Sequence, residues 1–312
     1  MLRKVVRWVC VMLAVLLPCH GLGEETEAIL VDAITDPAAM EGFSFAEGAE
    51  LLEIVFPQIL DCDAALVRCG GETMLIDCAS AGQASRVTAM LEQLGVTRID
   101  YLVNTHPHYD HIEGVANVAD AVEVAGLYIS FSETETEAMK KAVQAAQNRN
   151  IPILHYGDGD RFTLGEAVLD VWMKCPEDCN LNERSAQIRV QFGERTMLFT
   201  ADMQSKTQLA LLEQVDPALL DIDLMKYPHH GKEQLRPDFL EATTPVFAVM
   251  TNNGGKSSYY GRKCLAYAKI PFANTVPGYV YCVTDGQTWL VQRLAMDHPI
   301  TTTSRPDTRP LP

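Results

Sequence analysis

Positive charge is scarce in this chain: 25 Lys and Arg stand against 41 Asp and Glu, a formal charge of −16 over 312 residues. A broad nucleic-acid interface rests on many Lys and Arg contacts to phosphate, so this balance excludes one while leaving room for a local basic pocket. No C-x-x-C pair occurs, which argues against a compact site built from cysteines alone. Neither a repeat period nor a linker-like break in composition interrupts the sequence, whose 47% hydrophobic content is that of an ordinary globular chain. Apolar runs are short too. The longest candidate span, residues 8–17, falls below the ~20 residues that a transmembrane helix needs.

That run belongs to a leader. Arg3, Lys4 and Arg7 precede it, and Gly21 and Gly23 lie just before Glu24, the pattern of a signal peptide cleaved near Gly23. Cleavage removes those three basic residues and no acid, so the mature chain is more negative still. An uncleaved leader would instead anchor the protein in a membrane, and lipid attachment at Cys19 is opposed by Pro18. The expected organisation is a leader over residues 1–23, one domain over 24–297 and a Thr- and Pro-rich disordered tail over 298–312. Outside the leader stand Cys62, Cys69, Cys78, Cys175, Cys179, Cys264 and Cys282, an odd number. In an oxidising exterior Cys175 with Cys179 and Cys264 with Cys282 are candidate bridges; the alternative is that most are small buried hydrophobes.

Residues 50–59, 63–69 and 73–77 read as β-segments, the last two joined by Gly70-Gly71 as a hairpin. Residues 83–94 have helical apolar spacing, and 99–104 form an apolar strand running into THPHYDHIEG. A charged amphipathic helix is expected over 133–148, with strands at 153–155, 167–172, 185–192 and 196–200. A second strand-helix-strand unit follows through a helix at 205–215 to 223–226, and the chain closes with strands at 246–251, 279–283 and 289–293. Two β-rich halves, each followed by helices, imply an α/β fold with two sheets face to face and helices outside.

Five of the seven histidines outside the leader lie in two short clusters: His106, His108 and His111, then His229 and His230. Alternate residues leaving a strand face one way and the following turn redirects the next pair, so His106 and His108 can serve one metal, Asp110 and His111 a second. Imidazole and carboxylate ligands suit zinc, and also manganese or iron. The other reading of this loop, a polar strand end, leaves four strong ligand residues within six positions unexplained.

Residues 105–114 resemble the H-x-H-x-D-H motif of the metallo-β-lactamase superfamily, and the resemblance extends over residues 51–293 through the MLID strand, LFTAD and MKYPHHGK. Within it the chain is most similar to the hydrolase domain of ComEC-type DNA-uptake proteins and to exported phosphorylcholine esterases. The resemblance implies an αβ/βα four-layer sandwich of two packed mixed sheets with outer helices, and two divalent metal ions, zinc foremost. It implies that Asp202 bridges the metals and that His230 completes the Asp110/His111 site. His229 then stands beside a substrate oxygen as donor or general acid, and Asp110 and His229 are the expected catalytic residues.

Three departures bear on substrate. The histidine that true β-lactamases and glyoxalase-like members place between the first motif and the bridging acid is missing: none occurs between His155 and His229, and His155 comes too early and reads as structural. An N-x-x-S-like segment from Asn182 to Ser185 stands where ComEC-type relatives have one, which implies substrate contact by Asn182 or Ser185. Ala201 precedes Asp202 where relatives have glycine, and residues 252–263 lack a histidine common in the DNA-uptake relatives, with Tyr259, Tyr260 and Arg262 near that place. Those three read either as substrate contacts or as part of a flexible Gly/Ser loop. Lys226, Lys232, Arg236, Lys256, Arg262 and Lys263 give a local cationic bias, or else a set of solvated cations.

The expected function is hydrolysis by a metal-activated water of a small anionic substrate, a phosphodiester or other phosphoester, with Lys232 and Tyr260 among the contacts. A lactam or lactone hydrolase is the second reading, disfavoured by the missing histidine. A metal-binding envelope protein without turnover is the third.

Overall fold

The computed structural model describes residues 29–31, 45–175 and 178–294. The expected leader and tail lie outside these residues. The first half of the chain forms β1 (Ile29–Val31), β2 (Leu52–Phe56), β3 (Ala64–Cys69), β4 (Glu72–Cys78), α1 (Ala84–Gln93), β5 (Arg98–Ile99), β6 (Tyr101–Asn104), α2 (Tyr109–Ile112), α3 (Val115–Ala121), β7 (Glu123–Val124), β8 (Leu127–Ile129), α4 (Glu137–Asn148) and β9 (Ile153–His155). The second half forms β10 (Arg161–Leu164), β11 (Ala167–Trp172), β12 (Gln187–Phe192), β13 (Arg195–Phe199), α5 (Ser205–Gln214), α6 (Pro217–Leu220), β14 (Leu224–Lys226), α7 (Pro237–Thr243), β15 (Phe247–Met250), α8 (Tyr259–Ala268), β16 (Phe272–Asn274), β17 (Tyr279–Thr284) and β18 (Trp289–Leu294).

Nine strands make one mixed sheet, in the order β1-β18-β17-β2-β3-β4-β6-β8-β9, and seven make the other, β10 through β16 in sequence order. Alternation along each strand divides its residues between two cores. Ile54, Phe56, Met74 and Ile76 face the second sheet and meet Leu169, Ile188, Met197 and Phe199. Val55, Leu66 and Leu75 point the other way, onto Val87 and Leu91 of α1 and Met139 of α4. Leu198, Met225 and Ala248 do the same on the far side, against Leu211 of α5, Phe239 of α7 and Leu265 of α8. Helices, sheet, sheet and helices are the four layers expected. Each fully buried Leu, Ile or Phe in them contributes about 1.5–3 kcal/mol.

The sheets touch at one rim. A Cβ on Gly70 would lie 2.4 Å from the Gly165 Cα, and one on Gly193 would lie 2.7 Å from the Gly286 carbonyl oxygen. The hairpin turns thus cross backbone on backbone, which only glycine permits.

Three expectations are corrected. The segment after Asn252 is not an open loop: its Tyr259–Ala268 portion is α8, whose Gly261 approaches the Gly231 backbone and Tyr227 so closely that a Cβ would sit 2.5 Å from the Gly231 oxygen. The helix expected over 133–148 begins at Glu137, because Thr136 accepts a hydrogen bond from the Met139 amide at 3.0 Å and caps it there. Of the two candidate bridges, Cys175–Cys179 is formed, whereas Cys264 and Cys282 are free and sit in different cores. No helix among the described residues is long and apolar enough to cross a membrane.

Candidate metal centre

The rim opposite the glycine contacts carries the chemistry. Strands β4 and β6 are parallel, as are β13, β14 and β15, so their carboxyl ends deliver Asp77, His106, Asp202, His229 with His230, and Thr251 to one region. His106 and His108 leave β6 in extended chain, and α2 then turns the backbone so that Asp110 and His111 come back to the same space. Ala201, His229 and His230 all have left-handed backbone, with φ of 46°, 52° and 54°. Such conformations cost of order 1–3 kcal/mol each in non-glycine residues and persist only where surroundings enforce them. Here the His229 amide donates to the Ala201 carbonyl at 3.0 Å, and Asn252 Nδ2 donates to the His230 carbonyl.

Asp202 lies at the centre. Its Oδ1 is 3.3 Å from His111 Nε2 and 3.6 Å from His230 Nε2; its Oδ2 is 3.6 Å from His106 Nε2 and 3.5 Å from His229 Nε2. Asp110 Oδ2 lies 3.3 Å from His230 Nε2. His106 Nε2, His111 Nε2, His230 Nε2 and Asp202 Oδ1 are all buried without a hydrogen-bond partner. Orphaned polar atoms are costly in an apolar interior, and these converge with carboxylate oxygens, an arrangement that divalent cations would satisfy. The donor set therefore fits the two-metal expectation.

Two groups bring their ligand atoms within 4.8 Å of one another: His106, His108 and Asp202, and Asp63, His111, Asp202 and His230. Asp63 nevertheless faces the rear of the second group. It pairs with Lys226, accepts from Thr251 Oγ1 at 2.6 Å and meets His230 Nδ1 at 3.0 Å. Asp110 Oδ2 instead faces the open Nε2 of His230. Asp77 performs the equivalent service for His111, with Oδ2 2.7 Å from Nδ1, and is itself fixed by the Thr105 amide and hydroxyl and by Asn104. Carboxylates on Nδ1 turn the Nε2 lone pairs toward the shared space. Asp63, Asp77 and Thr251 are absent from the sequence reading.

Burial alone would make these groups neutral, and the cluster overrides it at His111, His230, Asp110 and Asp202. Asp202 and Asp77 hold His111 well above its ordinary range, and Asp202 with Asp63 raise His230. Burial and the neighbouring His111 lower His106 to about 4, and burial also lowers His229. Against their own desolvation, Asp110 is held at about 2, chiefly by His230 and His111, and Asp202 well below the usual carboxylate range by His230 and His111. The metal-free cluster balances its carboxylates with protons on two histidines that metal ions would displace.

The expected substrate contacts are placed as follows. Ser185 is buried, with its amide on the Asn182 carbonyl at 3.1 Å, and the next residue, Ala186, donates to the Thr105 carbonyl at 3.0 Å beside the first histidine cluster. Asn182 is half-buried and keeps a buried Oδ1 without a partner. The Lys232 amide donates to the His229 carbonyl at 2.8 Å, and Tyr260 is exposed on the first turn of α8. The cationic bias is thinner than the sequence implies, because Lys226 is buried against Asp63 and Arg236 pairs with Asp238 at 2.7 Å. His155 lies exposed on β9, 3.8 Å from Glu133, and takes no place among the metal-ligating groups. A groove of about 630 Å³ beside Gly70 lies at the far rim, and none of the clustered histidines lines it.

The family signature described as the metallo-beta-lactamase superfamily matches residues 58–235. Among solved structures, the chain is similar to the metallo-beta-lactamase fold protein YhfI from Bacillus subtilis, at 12% identity and a TM-score of 0.48, covering 72% of this chain and 96% of that one. It is similar to CmlA, a diiron beta-hydroxylase from Streptomyces venezuelae, at 15% identity and a TM-score of 0.49, covering 85% of this chain and 58% of that one. A diphosphatase of the PhnP family is similar at 13% identity and a TM-score of 0.40, covering 63% of this chain and 85% of that one. No curated protein matches.

Proposed function

Because the chain belongs to the metallo-beta-lactamase superfamily, we propose that it is an exported dinuclear metal-dependent hydrolase acting on a phosphodiester or other phosphoester. The observation that carries this reading is the position of Asp202, one oxygen between His111 and His230 and the other between His106 and His229. On this reading His106, His108 and Asp202 would hold one cation, and Asp110, His111, His230 and Asp202 would hold the other. Two such cations, zinc foremost, would supply Lewis acidity and the activation of a water for attack.

The chain's own residues do the rest. Asp110, ionised at neutral pH, presents Oδ2 3.3 Å from His230 Nε2, so that both would face one cation. Burial keeps His229 in its neutral form, so it acts as a hydrogen-bond donor beside a substrate oxygen rather than as a fixed cation. Asn182, with its unpartnered Oδ1, Ser185, Lys232 and Tyr260 complete the substrate contacts of this reading. The missing middle histidine supports phosphoester over lactam, since the His106/His108 side would offer a cation fewer protein ligands and leave more of its coordination to substrate oxygens. The N-x-x-S-like segment and the H-H-G triplet support the finer likeness to ComEC-type and phosphorylcholine-esterase-like hydrolases. The Cys175–Cys179 bridge supports an oxidising, extracytoplasmic location.

Assay of the mature protein with bis-p-nitrophenyl phosphate and nitrocefin, each with and without Zn²⁺ or Mn²⁺, tests the proposal. Metal-dependent release of nitrophenol with nitrocefin left intact is expected. Failure to turn over a broad ester panel despite stoichiometric bound metal overturns it.

A further inference from the structure

We propose that Lys226 and Asp63 form a buried positioning tie that sets His230 and Asp202 in register, so that the Asp110/His111/His230 subsite is in place before a metal ion arrives. The proposal rests on the two-metal reading above. Lys226 ends β14 at 2% exposure and Asp63 precedes β3 at 5%, 163 positions apart in the chain. Burying an ammonium is costly, and a well-packed apolar pair would serve stability as well or better. What an apolar pair would not supply is direction.

The Lys226 Nζ pairs with Asp63 and also donates to the Ala201 carbonyl at 3.0 Å, the peptide immediately before Asp202. Asp63 in turn meets His230 Nδ1 at 3.0 Å and accepts from Thr251 Oγ1 at 2.6 Å. Its backbone joins the same assembly: the amide donates to the Asp110 carbonyl at 3.0 Å, and the carbonyl accepts from the Ala79 amide at 2.8 Å. One ammonium and one carboxylate therefore bind together the turn that carries Asp202, the ring of His230 and the backbone of Asp110. His106 and His108 make no contact with this pair; His106 Nδ1 has the Thr105 hydroxyl at 3.3 Å instead. The tie holds His230 and Asp110 of one subsite directly and reaches the other only through the shared Asp202.

The test uses the full mature protein stripped of metal and titrated with Co²⁺, followed by calorimetry and by the visible absorption of the bound ion. Wild type is expected to take up two equivalents. Lys226→Met and Asp63→Asn are each expected to weaken one equivalent by about 10- to 100-fold, the scale of losing an outer partner of a ligand, and the other by less than about threefold. A His108→Ala background, which disables the opposite subsite, identifies the affected equivalent. Lys226→Arg keeps the charge and is expected to recover most of the lost affinity. Should Lys226→Met fail to fold, as circular dichroism would reveal, the near-isosteric Asp63→Asn carries the test. Unchanged affinities in both variants overturn the tie, as does equal weakening of both equivalents, which would mark a merely structural pair. Wild-type protein that binds fewer than two equivalents overturns the two-metal reading, and the tie with it.

Discussion

On the Oδ1 side of Asp202, His111 and His230 each have a carboxylate behind Nδ1, from Asp77 at 2.7 Å and Asp63 at 3.0 Å. On the Oδ2 side, His106 has a hydroxyl at 3.3 Å and His108 is partly exposed. The ligand types resemble each other across the centre, but the support behind them does not. A histidine held by a carboxylate keeps its tautomer and its aim, so metal affinity follows the outer partners as well as the ligands. On the proposed reading the Oδ1 side would therefore hold its ion the more firmly of the two.

The comparison breaks most severely at its common member. Asp202→Ala is expected to cut metal content from two equivalents to fewer than one, and turnover by more than about 100-fold; elemental analysis showing two tightly held ions in that variant would refute the bridge. A sharper cut separates the sides. Asp77→Asn is expected to weaken the Oδ1-side ion by about 10- to 100-fold and to spare the other, which Co²⁺ titration would resolve.

Proton linkage divides the same histidines. His111 and His230 are held above the ordinary 6.5, so in metal-free protein they add stability that is complete below 6.5 and is lost as pH rises through their raised values. His106 and His229 are held below 6.5 and are neutral in both folded and unfolded chains above it, so they do not contribute to that slope. The lowered carboxylates are ionised throughout this window. The gap in Tm between Zn²⁺-saturated and metal-free protein should thus widen from pH 6.5 to about pH 8.5. A gap that narrows would mean the two raised histidines carry no protons in the metal-free fold.

The smallest effect concerns the turn before Asp202. Ala201→Gly relieves a left-handed residue at about 1–2 kcal/mol and adds unfolded-chain entropy of about 0.5–1 kcal/mol. The expected net gain is under about 1.5 kcal/mol, read by denaturant titration of metal-free protein; a clear loss would show that the Ala201 methyl packs productively.

The H-x-H-x-D-H loop, Asp202 and the His229/His230 pair were legible in the sequence because their residue types bear chemistry and lie behind apolar strands. Asp63 and Asp77 were not, since a single acid at a strand end reads as a turn residue until its partner is known. Lys226 misled for the same reason: as a cation near histidines it suggests a substrate contact, whereas its partner lies 163 residues away. The four-layer arrangement followed from two alternations of strands and helices. Three-residue strands such as β8 and β16 offer too few positions for alternation to register, and in α8 the Gly/Ser signal concealed a buried face formed by Gly261, Arg262 and Leu265.

At the glycine rim, Gly70 against Gly165 and Gly193 against Gly286 act as the fulcrum of a clip whose jaws are the two sheets. A wedge driven in there would be felt as leverage at the jaws, where Asp202 and His230 come from one sheet and His106 and His111 from the other. A side chain introduced at any of the four glycines is therefore expected to change the spacing between the two halves of the His/Asp cluster, from positions that belong to neither half.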